Sequence, residues 1–220
     1  MVQFKLWYFD VRNLAEAARL IFVYANQPFE DFRIPFDEWQ TVYKNQTPFG
    51  KIPVLEVDGK RLCESTTILR YLAKKFKLAG RTTWEKAQVD ELIELHRSEY
   101  AEMHDFLMVS TGFKAGDKVV LLLKTLIESF QKELFEKVAK PTTQHYFQIY
   151  SRILKDNNTG YFVGKSLTCV DLLLADYLHT VHELNPELFE GHLDLVGFVK
   201  RIYLMPRLKS YIENRPVSPL

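Results

Sequence analysis

Thr47–Ser65, TPFGKIPVLEVDGKRLCES, contains two short strands, the turn that joins them and the start of a helix. Asp58-Gly59 suits a type I′ hairpin, whose central residues need φ > 0, so Val54–Val57 and Lys60–Cys63 are read as antiparallel strands. Pro53 stands directly before the first strand, where its missing N–H removes no internal ladder bond and the Ile52 backbone faces outward. From Thr66 to about Lys77, Ile68, Leu69, Tyr71, Leu72 and Phe76 recur at spacings of three and four, which predicts a helix packed on this ribbon. The first-turn N–H groups of that helix have no partner within it and carry the positive end of the macrodipole. Two readings stay open there: Ser65 caps the helix, or a small anionic ligand docks a carboxylate on it.

Upstream, Gln3–Tyr8 alternates with Phe4, Leu6 and Tyr8 on one side and reads as a strand. Asn13-x-x-Glu16 is a capping-box pattern, and Leu14, Ala17, Ala18, Ile21, Phe22 and Ala25 follow at helical spacing until Asn26-Gln27-Pro28. Glu30–Ile34 reads as a second strand. The order is βαβ followed by ββα. Between these units, Pro35–Gln46 reads as a surface loop with a helical turn, and its Trp39 either meets a ligand or packs on the domain edge.

Downstream of Leu78–Thr82 no strand pattern recurs, so residues 1–79 and 83–220 are expected to form separate domains, the second all-helical. Helices are predicted over Trp84–Ser110, Lys118–Lys140 and Pro141–Lys155, the last with proline at its first position. Thr168-x-x-Asp171 is a capping box, with Leu167 and Leu172 as its hydrophobic staple. The apolar run that follows belongs at the centre of the helical domain. Asp171 is therefore read as structural, a catalytic carboxylate being the alternative. Leu193–Ile202 and Arg207–Ile212 are the last helical pieces. His179 and His182 stand one helical turn apart, but no third metal ligand accompanies them.

The 220 residues are 47% apolar and 26% charged with a formal net charge of +1, an ordinary globular balance without the basic footprint of a nucleic-acid or membrane-surface binder. No apolar run is long enough to span a bilayer and the N-terminus has no signal-peptide pattern, so a cytosolic protein is expected. Cys63 and Cys169 fit neither a disulfide framework nor a metal-ligand spacing, and no metal is expected.

Four stretches go further than the plan. YFDVRNLAEAAR (Tyr8–Arg19), PFGKIPVLEVDG (Pro48–Gly59), ESTTILRYL (Glu64–Leu72) and GKSLTCVDLLLADYL (Gly164–Leu178) resemble the cytosolic glutathione transferases, most closely the sigma class in its nematode type. The resemblance implies a thioredoxin-like N-terminal domain, an all-α C-terminal domain, a homodimer and glutathione as co-substrate. It implies conjugation of the glutathione thiolate to hydrophobic electrophiles, with peroxidase or prostaglandin isomerase activity as further outcomes. A carrier that kept the fold and lost turnover is the alternative.

By the same resemblance, the Tyr8 hydroxyl donates to the glutathione sulfur, whereas the residue pattern alone equally allows a core aromatic. Ile52 pairs its backbone with the cysteinyl part, with Pro53 in the cis form and Gly50 beside it. Trp39, Lys44 and Lys51 meet the glycyl carboxylate, and Glu64 and Ser65 the γ-glutamyl end. Phe9, Val11, Leu14, Tyr100, His104 and Leu220 are the candidates for the electrophile pocket. Four positions depart from the family pattern: Asn13 for Gly, Leu14 for an Arg in some members, Glu64 for Gln, and Ser98 for an acid that reaches across the dimer. Glu64 is expected to pair with the γ-glutamyl ammonium in place of that acid.

Overall fold

β1 (Phe4–Phe9) pairs in parallel with β2 (Glu30–Ile34) and antiparallel with β3 (Val54–Val57), which turns into β4 (Lys60–Cys63). The strand order is β2-β1-β3-β4 in this computed structural model, which describes residues 2–112 and 129–218. A parallel pair needs a crossover, and α1 (Asn13–Tyr24) provides it. Asp58 and Gly59 have φ of 48° and 79°, as the type I′ turn requires. With α2 (Ser65–Lys75) following β4, the βαβ-ββα thioredoxin-like plan is complete.

Strand alternation sorts the side chains of β1. Phe4, Leu6 and Tyr8 enter the main core with α1 and α2, while Trp7 joins Ile34, Val54 and Cys63 in a smaller cluster on the other face. Three short helical turns, Phe36–Glu38, Trp39–Tyr43 and Lys44–Gln46, cover that second face, with Trp39 and Tyr43 packed on it.

Two expected caps do not form. Asn13 is already helical, with Arg12 in the cap position. The Glu16 carboxylate turns inward to Arg19 and Arg215, which outcompete a neutral backbone N–H for it. Ser65 is likewise the first helical residue, and Glu64 occupies the cap position at φ 68° and ψ 115° with no side-chain hydrogen bond. Side-chain capping needs an extended cap residue that reaches back over the first turn, and this conformation does not supply one.

The helical half opens with α3 (Thr83–Ser110), capped by Thr82 and Glu85 in a reciprocal box that the sequence reading overlooked. The predicted break at Pro141 is not a break. Residues 129–134 are helical, a π turn spans Phe135–Ala139, and α4 (Lys140–Asn157) continues without a gap. Pro141 has no N–H to give the Lys137 carbonyl, so the backbone widens for one turn instead of stopping. The part of the predicted Lys118–Lys140 helix before residue 129 lies outside the described residues.

α5 (Cys169–Leu184) runs through the centre as predicted, followed by α6 (Leu193–Tyr203) and α7 (Pro206–Asn214). Asp171 is fully buried. Its Oδ2 accepts from the Thr168 N–H (2.7 Å) and hydroxyl (2.9 Å), and its Oδ1 from the Phe162 N–H (2.8 Å), which explains the residue without chemistry. The Cys169 N–H donates to the Leu78 carbonyl at 2.8 Å and ties α5 to the segment after α2. Both cysteines are free and buried, and among the described residues no helix is long and apolar enough to cross a membrane.

Candidate active site

Tyr8 sits one residue before the end of β1, opposite Arg33 of β2, and is 5% exposed. The Leu14 amide, from the first turn of α1, lies near its hydroxyl. Burial, and secondarily the neighbouring Tyr100, push the hydroxyl above the usual tyrosine range, while the Leu14 amide and the Arg19 charge pull the other way. Tyr8 therefore stays protonated at neutral pH, with its O–H available to donate.

The loop between β1 and α1 is held from beneath by a buried charge network. Arg19 donates to the Val11 carbonyl (2.6 Å), the Phe9 carbonyl (3.3 Å), Glu16 (3.1 Å) and Asp31 (3.0 Å). Arg215 reaches Glu16 (2.9 Å) and Asp176 (3.1 Å), and Arg12 reaches Asp176 (3.3 Å). The chain end joins in, because the Arg12 guanidinium donates to the Ser218 carbonyl at 3.2 Å. These bonds place the backbone beside Tyr8 by ionic contacts from α1, α5 and the C-terminal segment.

On one side of Tyr8 lies the edge of β3. The Ile52–Pro53 peptide is cis, and Gly50 adopts φ 62°. The Lys44 side chain passes over Gly50, where an added Cβ would lie 3.8 Å from its Cε, and its Nζ donates to Gln40 at 3.2 Å. Lys51 is exposed nearby in sequence, and Glu64 stands exposed at the start of α2. A cavity of about 260 Å³ opens between the two halves, lined by Asn13, Leu14, Glu64, Ser65, Tyr100 and Tyr177 among others, with Tyr8 itself outside the lining. Its walls come from α1, α2, α3 and α5. The Tyr100 hydroxyl donates to Asn13 Oδ1 at 2.7 Å and joins two of those walls.

Residues 4–74 match the model of the glutathione S-transferase N-terminal domain, and residues 118–215 that of the C-terminal domain. The chain belongs to the glutathione S-transferase family. Glutathione S-transferase 1 of Ascaris suum is 37% identical over 219 residues, covering all of both chains. Among solved structures, the monomeric Na-GST-3 of the hookworm Necator americanus superimposes with a TM-score of 0.88 at 38% identity, over 99% of this chain and 100% of that one. A Nu-class enzyme from Haemonchus contortus gives 0.83 at 39% identity, with both chains fully covered.

Of the electrophile candidates in this transferase, Leu14 and Tyr100 line the cavity. Phe9 does not. It follows Tyr8 in a strand, so it points to the opposite face of the sheet, where it stacks on Phe36 (4.3 Å between centroids) and meets Trp39 edge-on (5.7 Å). Val11 is buried in the core beneath the loop. His104 is exposed on α3 beside Asp105, one turn past Tyr100. Leu220 lies outside the described residues. Sequence reading missed Tyr177, His96 and Thr180 in the cavity wall, along with the whole Arg12–Glu16–Arg19–Asp176–Arg215 network. One signal existed: Arg19 and Asp176 are charges placed within apolar helical runs.

Proposed function

We propose that this transferase lays glutathione along the β3 edge, with Ile52 pairing its backbone and the thiol beside Tyr8. Lys44 and Lys51, with Trp39 and Gly50, receive the glycyl carboxylate. Glu64 and Ser65 receive the γ-glutamyl end, and the uncapped first turn of α2 supports that assignment because its N–H groups are open to a carboxylate. The observation that carries the reading is Tyr8 itself. It is a protonated, buried hydroxyl whose neighbours Leu14 and Tyr100 stand in the wall of a cavity of about 260 Å³ that also reaches Glu64 and Ser65.

The energetics fit one hydrogen bond. A thiol near pKa 8.5 brought down by about two units requires roughly 2.7 kcal/mol of preference for the thiolate. A charge-assisted bond in a partly desolvated site contributes about 1.5–3 kcal/mol. The positive end of α1 adds to it. The thiolate then attacks an electrophilic carbon held in the cavity, and the leaving group departs with the electron pair.

We place the enzyme in the sigma class, nematode type, on the four motif stretches, with the junction between its domains at residues 80–82. Its setting in this proposal is the cytosol. Its partner is a second copy of the chain, docked where Phe49 (65% exposed) and Trp84 (74% exposed) present large apolar side chains. A glutathione-dependent assay with 1-chloro-2,4-dinitrobenzene tests the chemistry, alongside the ultraviolet thiolate band of bound glutathione across pH. Tyr8→Phe is expected to lose at least tenfold in kcat/KM together with the low-pH thiolate, as removal of a bond of about 1.5 kcal/mol or more implies. Glutathione binding without turnover by either protein would favour the carrier.

A further inference from the structure

We propose that Tyr100 is a positioning residue for the thiolate: by gripping Asn13 it sets the Leu14 amide against the Tyr8 hydroxyl. The proposal rests on the transferase reading above.

Asn13 begins α1 at φ 33°, on the left-handed side, with no side-chain cap on the helix. A non-glycine residue there needs its surroundings to hold it, and asparagine accepts the conformation at less cost than most residues. What holds it is the Tyr100 hydroxyl, at 2.7 Å from Oδ1, reaching across from α3. Tyr100 is itself half-buried. The bond spans the cavity wall between the helical half and the loop that carries the reacting group.

The next residue is the one that matters chemically. The Ala15 and Glu16 N–H groups donate to the Arg12 carbonyl at 3.2 and 3.1 Å, and the Leu14 N–H stands ahead of these first bonds of the helix. The Leu14 amide lies close enough to the Tyr8 hydroxyl to withdraw electron density from its oxygen, which makes the Tyr8 O–H a stronger donor to a sulfur anion. The direction of that amide is set by the backbone torsions at Asn13. Upstream, Arg19 holds the Phe9 and Val11 carbonyls and the Arg12 N–H meets the Ser218 hydroxyl at 3.4 Å. The grip of Tyr100 on Asn13 completes the restraint on the downstream side, so the loop is pinned on both flanks of the Tyr8 oxygen.

A double-mutant cycle with Tyr100→Phe and Asn13→Gly tests this, read by the thiolate band of bound glutathione across pH. Tyr100→Phe is expected to raise the midpoint by about half a pH unit, roughly threefold less thiolate at a given pH below it. The same substitution in the Asn13→Gly background is expected to add nothing, since the partner is already gone. Amide exchange at Leu14 in the ligand-free protein is expected to quicken several-fold on Tyr100→Phe and, again, not further in that background. A midpoint that does not move, or moves equally in both backgrounds, overturns the proposal. If wild-type protein with glutathione shows no thiolate band at all, the transferase reading falls, and the exchange cycle alone then upholds or overturns the clamp.

Discussion

Two buried polar clusters flank the reacting loop, and they handle charge in opposite ways. Beneath the loop, Arg12, Arg19 and Arg215 face Glu16, Asp31 and Asp176 at 2.9–3.3 Å, cation against carboxylate throughout. At the far side, α3, α4 and α5 enclose His96, Glu99, Tyr150 and Tyr177 without a cation against Glu99 among the described residues. Glu99 Oε2 accepts from the Tyr150 hydroxyl at 2.7 Å, while Glu99 Oε1, His96 Nδ1 and the Tyr177 hydroxyl have no hydrogen-bond partner among the described residues. Tyr177 approaches Glu99 closely enough to favour its ionised form, yet the pair lacks hydrogen-bonding geometry.

Burial then decides protonation. Glu99 is pushed up to about 8 and His96 down to about 4, each by desolvation first. At neutral pH both are predominantly uncharged, whereas the groups beneath the loop meet cation to carboxylate. At similar depth, charge persists where a counter-charge shares the desolvation and is given up where none does. The cation–carboxylate cluster is the one that fixes the backbone beside Tyr8, through the Arg19 bonds to the Phe9 and Val11 carbonyls.

The comparison is most exposed to Arg19→Met. It removes the donor to two loop carbonyls and leaves Asp31 and Glu16 short of a cation, so unfolding in denaturant should show a loss of about 3–5 kcal/mol. A loss below about 1 kcal/mol would mean that these pairs do not hold the loop as described.

Glu99→Gln gives a pH signature of the opposite cluster. Between the unfolded carboxyl value of about 4.3 and the folded value of about 8, the folded state keeps a proton that the unfolded chain has released. Stability from this group is complete below the window and is lost as pH rises through it. The lowered His96 works in the reverse sense, but only up to its unfolded value of about 6.5. Melting curves from about pH 6.5 to about pH 8.5 should therefore fall less steeply for Glu99→Gln than for wild type; equal slopes would show that Glu99 is ionised in the fold.

The smallest expected change is His96→Leu, which deletes a buried nitrogen that has no partner among the described residues. It should alter stability by no more than about 1 kcal/mol, toward stabilisation. A loss of about 2 kcal/mol or more would reveal that the imidazole makes a bond that holds the cluster together.

Much of the sheet half was legible because its signals are local. Alternation in β1, the Asp58-Gly59 turn and the spacing in α1 and α2 each depend on neighbours within a few residues. The Thr168–Asp171 box was equally legible and formed as read, with Phe162 only nine residues away as its extra donor. Where the same kind of pattern failed, a distant group had taken over the side chain. Glu16 left the Asn13 box for Arg215, 199 residues along the chain, and Pro141 widened a helix that packing kept continuous. Phe9 falls outside the cavity wall for a different reason: it stands at the start of the first loop, where the pocket is expected, but strand geometry turns its side chain to the other face of the sheet.

By itself, then, the sequence determined the strand and helix order, the hairpin, the central helix with its cap and the family to which the chain belongs. These follow from short-range periodicity, turn chemistry and motif likeness. Only the tertiary structure decided which charges stay ionised, which walls enclose the cavity and that Tyr100 meets Asn13. Those outcomes depend on burial and on partners brought together from opposite ends of the chain, and no local pattern in either partner encodes the distance to the other.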